Sequence, residues 1–152
     1  MAKPAKEFYA DLPDYPEKIT RKKKRPKTVA VVMEGNCTGC EVCVPFCPVD
    51  CIEVQSYAAY PDRPIPPVQI RFDECIGCQI CVKACTKLTW DAIRMVPTEL
   101  VEKELSIKVG NTYDEAIQNK TDANLDPKVV REISNTKFLD FWRDIEVKKG
   151  NR

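Results

Sequence analysis

The chain has 152 residues, and its 24 Lys and Arg residues nearly balance its 23 Asp and Glu residues. This balance excludes a uniformly basic nucleic-acid binder and an acidic solvating protein. Histidine is absent, which removes Ser-His-Asp catalysis and histidine-ligated zinc or haem. The first residues hold no apolar stretch typical of a secretory signal, and the run Val29–Met33 is too short to cross a bilayer, so we expect a cytoplasmic protein without a membrane span.

Residues 1–27 are predicted to form an extended basic arm. They contain four prolines, show no apolar periodicity, and carry nine positive and four negative side chains. Such a segment buries too little apolar surface to order itself. The run 21–27 suits docking on an acidic partner or anionic lipid, but a solvated tail without a role and a nucleic-acid contact are alternatives. No aromatic side chain interleaves the run, which disfavours nucleic acid.

Residues 28–97 show one order of features twice, namely a strand, a cysteine cluster, a short helical turn and a second strand. The apolar runs predict strands over 28–33, 52–54, 67–72 and 92–96, and helical turns follow the clusters near 44–50 and 82–88. Four prolines between residues 56 and 67 exclude a helix there and predict a constrained loop. The expected fold class is therefore α+β, built from a duplicated unit.

The nine cysteines all lie between Cys37 and Cys85, and eight of them form two runs with the spacing C-x2-C-x2-C-x3-C. Two intervening residues allow a tight loop to direct three thiolates to three corners of one iron–sulfur cubane. The fourth cysteine of each run begins a helix that leads away, so it reaches the other cluster. We therefore predict two 4Fe–4S clusters, one held by Cys37, Cys40, Cys43 and Cys85 and the other held by Cys75, Cys78, Cys81 and Cys47.

Zinc and disulfides are the alternatives for these cysteines. Three cysteines at this spacing cannot all pair within one loop, and a zinc ribbon would leave the third and fourth members of each run unexplained. Cys51, the ninth cysteine, is interpreted as a buried thiol that packs like a small apolar side chain, with a third cluster or a regulatory role as alternatives. Phe46, Ile76, Ile80 and Trp90 neighbour the ligands and are expected to keep water away from the clusters.

Residues 98–152 are predicted to form a partly helical tail that docks on another surface. Thr112 and Glu115 fit a capping box, and Asp126-Pro127 fits a helix start. An apolar stripe follows at helical spacing, formed by Phe138, Leu139, Phe141, Trp142 and Ile145. The stripe is expected to cover either the sheet of this chain or a partner.

The segment from about 30 to 97 resembles the bacterial-type dicluster ferredoxin family, including the run Cys47-Pro48-Val49-Asp50-Cys51-Ile52. The resemblance implies a small α+β sandwich with a cubane at each end, which moves single electrons at low potential and performs no bond chemistry itself. In the second half Thr86 stands where the family has proline, and residues 87–90 lengthen the turn. The hydrogen bonding and potentials of the two clusters are therefore expected to differ.

The long link between Cys47 and Cys75 is similar to that of the dicluster subunit of respiratory complex I and of the terminal-acceptor subunit of type I photosynthetic reaction centres. This similarity implies a peripheral electron-transfer subunit on the cytoplasmic face of a membrane redox complex, with a soluble donor or acceptor as a second partner. A free soluble ferredoxin is the first alternative, and an iron–sulfur nucleic-acid-binding protein is the second. The sequence supplies no acid, base or open metal position for an enzyme.

Overall fold

The computed structural model describes residues 12, 14–89, 91–115 and 138. These residues form short strands and helices in an α+β arrangement. The strands are β1 (Thr28–Val32), β2 (Ile52–Val54), β3 (Val68–Ile70) and β4 (Ile93–Pro97); the helices are α1 (Ile80–Leu88) and α2 (Thr98–Leu105), and Val44–Phe46 forms a 3-10 turn. The strands expected from the apolar runs are all present, with ends that differ by one or two residues. No helix in this part of the chain is long and apolar enough to cross a membrane.

The strands form two antiparallel pairs, β1 with β4 and β2 with β3. Val29 lies opposite Val96 in the first pair, and Ile52 lies opposite Ile70 in the second. Each pair therefore joins one strand from each half of the cysteine-bearing segment. Residues 29–32 are all buried, which explains why β1 is a continuous apolar run rather than an alternating one.

The segments after the two cysteine loops differ in length because of proline. Pro45 and Pro48 each lack a backbone donor, so the first segment makes only a three-residue 3-10 turn. Thr86 occupies the position that corresponds to Pro48, and its hydroxyl donates to the carbonyl of Val82 at 2.9 Å. The corresponding helix α1 has nine residues and contains Cys81 and Cys85, so the fourth cysteine of the second run lies within a helix and does not begin one as the sequence predicted.

The arm differs from its expected behaviour over its described residues. Residues 14–27 form neither a helix nor a strand, and they contact the cysteine-bearing segment instead of standing free of it. The amide of Thr20 donates to the carbonyl of Pro48 at 2.7 Å, and Lys22 is only 3% exposed. The guanidinium of Arg25 contacts the carboxylate of Glu102 at 3.1 Å. A cluster of basic residues therefore orders itself through hydrogen bonds and ion pairs, which a count of apolar residues does not detect.

The hydrophobic core extends beyond residue 97. Helix α2 buries Thr98, Val101 and Leu105, which share one face of the helix, and Val109 is 2% exposed. Thr98 ties this helix to the arm, because its hydroxyl donates to the carbonyl of Pro26 at 2.8 Å. The first part of the expected tail is thus a component of the domain.

The remaining tail predictions are only partly covered. At the expected capping box, the hydroxyl of Thr112 accepts from the amide of Glu115 at 3.3 Å, and the Glu115 carboxylate accepts from the amide of Asn111 at 2.7 Å. Phe138 is fully buried. The helix start at Asp126 and the other members of the apolar stripe lie outside the described residues.

Candidate metal centres

Each cysteine loop begins with the same turn. The amides of Asn36 and Cys37 both donate to the carbonyl of Met33, at 3.1 and 3.0 Å. The amides of Glu74 and Cys75 donate to the carbonyl of Arg71 in the same way, at 3.1 and 3.2 Å. The two turns therefore place the first cysteine of each run identically with respect to the preceding strand.

Two residues in each cysteine loop adopt left-handed backbone conformations, which bend the loop around its cysteines. Gly39 and Glu41 have φ values of 71° and 61°, and the corresponding Gly77 and Gln79 have values of 70° and 64°. Positive φ is readily adopted by glycine and costs energy at other residues, so these conformations are specific features of the loops. Both pairs recur at the same offset along the chain that relates the first cysteines of the two runs.

The first hollow is a cavity of about 320 Å³ that is partly open to solvent, and four cysteines lie in its wall. Three of its cysteines belong to the first run, and the fourth, Cys85, comes from helix α1. Val68, Ala92 and Ile93 contribute apolar surface to its wall. The cysteines that line the first hollow are Cys37, Cys40, Cys43 and Cys85.

The second hollow has a similar volume, but here the second run supplies most of the cysteines and the first run supplies the fewer. Three of its cysteines belong to the second run, and the fourth, Cys47, follows the 3-10 turn of the first half. Cys51 also contributes to its wall, together with apolar residues such as Ile52 and Ile70. The ligand candidates that line the second hollow are Cys75, Cys78, Cys81 and Cys47.

The donor chemistry of both hollows suits a 4Fe–4S cubane. All nine cysteines are free thiols. A cubane is held by four thiolates around its periphery, whereas one tetrahedral zinc ion would draw its sulfurs to about 2.3 Å from a common point. Across the residues that the structure describes, no group of three or more His, Cys, Asp or Glu side chains is placed to hold a single metal ion.

The fourth cysteine of each run accepts a backbone hydrogen bond on its sulfur. The amide of Cys51 donates to Cys47 Sγ, and the amide of Ala92 donates to Cys85 Sγ, both at 3.4 Å. The second donor lies further along the chain from its cysteine than the first does, because the second half is longer at this point. The lengthened turn noted in the sequence therefore preserves the N–H···S hydrogen bond.

Cys51 is a neighbour of the ligand candidates. Its sulfur lies 3.6 Å from Cys47 Sγ, and the residue is 2% exposed. A hydrogen bond from the Cys51 thiol lowers the pKa of Cys47 to about 6, and the same thiol lowers the pKa of Cys75 to about 7. Ala92, which stands at the corresponding place in the other half, is likewise buried. A small buried side chain is thus common to both halves at this place, and the role of Cys51 stays a prediction.

The third cysteine of each run has a raised pKa, in contrast to the lowered pKa of Cys47 and Cys75. Desolvation, followed by the nearby Cys37 and Cys85, raises the pKa of Cys43 to about 12. Desolvation also raises the pKa of Cys81. Since thiolates are the ligating form, iron binding must displace the protons of these two thiols, so metal binding and deprotonation are coupled.

One cysteine of each run reaches the surface. Cys40 and Cys78 are exposed, whereas the other seven cysteines are buried. Phe46 is 5% exposed, and its ring lies 4.6 Å from that of Tyr15 in the arm. Ile76 and Ile80 are partly buried, and Trp90 lies outside the described residues.

Two cations beside the cysteine loops are absent from the expectations drawn from the sequence. Arg63 donates to the carbonyl of Cys37 at 2.6 Å, and Lys22 donates to the carbonyl of Asp73 at 2.9 Å. The sequence contains one sign of this repeat, because the dipeptide Arg-Pro occurs at 25–26 and again at 63–64. These two positions are separated by the same offset as Cys37 and Cys75. This recurrence indicates that the similarity of the two halves begins before the first strand.

Comparison with known families adds to this geometry. Residues 36–89 match the family model of the 4Fe-4S dicluster domain. The chain carries two 4Fe–4S clusters. The match supports a ferredoxin-type 4Fe–4S family and a role in iron–sulfur electron transfer, and it begins and ends close to the two cysteine runs. No curated protein and no solved structure matched the chain.

Proposed function

We propose that this protein transfers single electrons through two 4Fe–4S clusters with crossed ligation. The first cluster would be held by Cys37, Cys40, Cys43 and Cys85, and the second by Cys75, Cys78, Cys81 and Cys47. The observation that supports this assignment is the composition of the two hollows, each of which combines three cysteines of one run with the fourth cysteine of the other. When bound, each cluster supplies a site that accepts and releases one electron.

The residues around the hollows have three tasks in this proposal. Buried apolar side chains such as Val68 and Ile70 limit the access of water. The amides of Cys51 and Ala92 donate to ligand sulfurs and so stabilise the more negative, reduced state. The exposed residues Cys40 and Cys78 bring one edge of each hollow to the surface, where a donor or acceptor can approach.

We also propose that the domain is a duplication of one strand–cluster–helix–strand unit. The supporting features are the single offset that relates every ligand candidate of the first run to its counterpart in the second, the paired left-handed residues of the two loops, and the identical turns before Cys37 and Cys75. The duplicated domain would span residues 28–97, with residues 14–27 and 98–109 packed against it. Both halves place an N–H···S bond on their fourth cysteine, as duplicated units would.

A pair of cysteine variants tests the crossed ligation. Cys47→Ala is expected to reduce iron from about eight to about four atoms per chain and to abolish the cluster of the second run, because Cys47 lines the second hollow. Cys51→Ala is the matched control, since it removes a nearby buried thiol and is expected to retain all the iron. Iron and sulfide analysis with EPR of the anaerobically reduced proteins gives the content.

The identity of the surviving cluster decides the assignment. A further Cys37→Ala exchange in the Cys47→Ala background should remove the remaining iron, whereas Cys75→Ala should have little additional effect. If Cys75→Ala removes the remaining iron and Cys37→Ala does not, Cys47 belongs to the cluster of its own run and the crossed scheme is wrong. Tightly bound zinc in the unmodified protein would overturn the proposed function as a whole.

For its cellular setting, we propose a peripheral subunit docked on the cytoplasmic face of a membrane redox complex, in preference to a free carrier. The support is the charge distribution, since residues 1–27 have nine positive and four negative side chains, whereas residues 28–97 have five positive and eight negative ones. Lys23, Lys24 and Lys27 remain exposed although the arm lies on the domain, so they are available to an acidic partner. The part of the tail beyond residue 115 is a second candidate for this contact.

The docking proposal is tested with two variants that each lose three positive charges, one in the arm and one elsewhere on the surface. A variant with Lys23, Lys24 and Lys27 replaced by Gln is expected to elute from membranes at lower salt than the unmodified protein, because exposed ion pairs are screened by salt. A control variant replaces the exposed Lys83, Lys103 and Lys108 by Gln and should elute like the unmodified protein. Equal elution of all three proteins would contradict docking through the arm, and salt-dependent binding to duplex DNA would favour the nucleic-acid alternative.

A further inference from the structure

The segments that precede β1 and β3 each lie on the cysteine loop of the other half. A Cβ atom at Gly39 would lie 2.4 Å from the carbonyl oxygen of Pro66, and one at Gly77 would lie 2.5 Å from the carbonyl oxygen of Thr28. Thr28 and Pro66 are themselves equivalent positions, related by the same offset as Gly39 and Gly77. The arm is therefore the counterpart of the proline-rich loop 56–67, and both segments close over a cysteine loop.

From each of these segments, one cationic side chain donates a hydrogen bond to the backbone at the start of the cysteine loop. From the proline-rich loop, Arg63 donates to the carbonyl oxygens of Glu34 and Cys37, both at 2.6 Å. Its side chain is 22% exposed, and the carboxylate of Glu34 lies 3.7 Å away. The positive charge is thus held against the backbone of the first ligand candidate of the first hollow.

From the arm, Lys22 reaches the start of the second cysteine loop, whereas Arg25, which the offset relates to Arg63, pairs with Glu102. The Lys22 ammonium donates to the carbonyl oxygen of Asp73, shortly before Cys75, and the residue is 3% exposed. Its own carbonyl accepts from the amide of Tyr113 at 3.1 Å, and the ring of Tyr113 lies under the guanidinium of Arg21. Burial lowers the pKa of Lys22, and the charges of Asp73 and Cys75 oppose that effect.

A fixed charge at such a place acts on the reduction of its own cluster. Reduction adds one negative charge, and a buried cation stabilises that charge more strongly than an exposed one does. A unit charge about 10 Å from the added electron changes the equilibrium constant about tenfold at an effective dielectric constant of about 20. Exposed lysines of the same arm are screened over a Debye length of about 8 Å at physiological salt, so they contribute much less.

We infer that Lys22 and Arg63 are paired positioning residues that set the potentials of the two clusters separately, Lys22 for the cluster of Cys75 and Arg63 for the cluster of Cys37. The inference rests on the proposed electron-transfer function. It gives the folded-back arm a role in the redox chemistry and explains why a lysine is buried in a chain that could have placed an apolar residue there. The crossed arrangement means that each cluster draws its cation, like its fourth cysteine, from the other half.

The test is a redox titration of the intact holoprotein, followed by EPR that resolves the two clusters. Lys22→Gln removes the charge and keeps an amide donor at this position, whereas Arg63→Gln removes the charge and puts one amide group in place of the two guanidinium N–H groups that contact Glu34 and Cys37. Lys22→Gln should lower the reduction constant of the Cys75 cluster about tenfold, or about 59 mV for a one-electron couple, and should shift the other cluster less. Arg63→Gln should lower mainly the potential of the Cys37 cluster. Lys22→Arg keeps the positive charge and should retain the potential of the unmodified protein.

Lys23→Gln is the matched control, because it removes the same charge from the neighbouring exposed position. If Lys22→Gln fails to retain its iron, Asp73→Asn provides the test, since removing this negative charge should raise the potential of the Cys75 cluster more than that of the other cluster. Equal shifts at both clusters, no shift in a fully loaded variant, or an equal effect of Lys23→Gln would overturn the inference. Failure of the unmodified protein to hold about eight iron atoms would instead contradict the proposed function.

Discussion

Gly39 offers a sharp test of how tightly the first cysteine loop is closed. Its φ of 71° lies in the left-handed region, and a Cβ atom would lie 2.4 Å from the backbone oxygen of Pro66 and 2.6 Å from Cγ2 of Ile65. Ile65 is 52% exposed and its side chain can turn away. The carbonyl of Pro66 belongs to a proline-rich backbone and cannot move without displacing the loop.

The cost of Gly39→Ala follows from these two contributions. The left-handed conformation costs an alanine about 1–2 kcal/mol, and forcing a methyl group into a packed contact costs about 1–3 kcal/mol. The free energy of opening the loop should therefore fall by about 2–5 kcal/mol, which corresponds to a factor of about 30 or more in the population of the open state. Gly35→Ala is the matched control, because nothing lies within 4 Å of its Cβ position, and its effect should stay within about 1 kcal/mol.

The assay is the rate at which the holoprotein loses its visible cluster absorbance in denaturant under anaerobic conditions. A rate is the appropriate quantity, because cluster loss is irreversible on this timescale. Gly39→Ala should lose the cluster of Cys37 at least about tenfold faster than Gly35→Ala, with EPR showing which cluster disappears first. Equal rates for the two variants would refute the reasoning that the Pro66 backbone holds this loop closed.

Three further outcomes are expected. Thr98→Val should accelerate cluster loss in the same assay, because it leaves the buried carbonyl of Pro26 without its side-chain donor, a loss that costs about 1–3 kcal/mol. Arg71→Met should accelerate loss of the Cys75 cluster, since the guanidinium pairs with the buried carboxylate of Glu74 and breaking such a pair costs about 3–5 kcal/mol. Cys51→Ala should lower the potential of the Cys75 cluster in a redox titration, because it removes a thiol whose sulfur lies 3.6 Å from that of Cys47 and can donate to it; an unchanged potential would assign Cys51 to packing alone.

Spacing and periodicity predicted the parts of the molecule that depend on local chemistry. The strand of residues 28–32 is a run of β-branched and small apolar residues, and two-residue gaps between cysteines allow few loop conformations. The Thr86 in place of proline predicted that cluster hydrogen bonding and potential would differ between the halves; the N–H···S bonds on Cys47 and Cys85 are equal at 3.4 Å, the helix of the second half is longer, and the difference in potential stays a prediction. In each case one residue or one short window carries the information.

The arm was harder to predict because its order comes from distant partners. Lys22 contacts Asp73, Arg25 contacts Glu102, and the carbonyl of Pro26 is capped by Thr98. None of these partners lies in the same sequence window, and each contact is polar, so neither hydropathy nor local charge indicates it. A run of basic residues that reads as a solvated tail becomes ordered once the fold supplies carbonyls and carboxylates at the matching distances.

The crossing of the two halves has a consequence for assembly. Each hollow takes three cysteines from one half and one from the other, each strand pair joins the two halves, and each cysteine loop is covered by a segment of the opposite half. A half that folded alone would lack its strand partner as well as the fourth thiolate of its cluster. Because metal binding stabilises only the folded arrangement of ligands, iron at one hollow also favours the order of the other, and the two clusters are coupled through the chain that holds them.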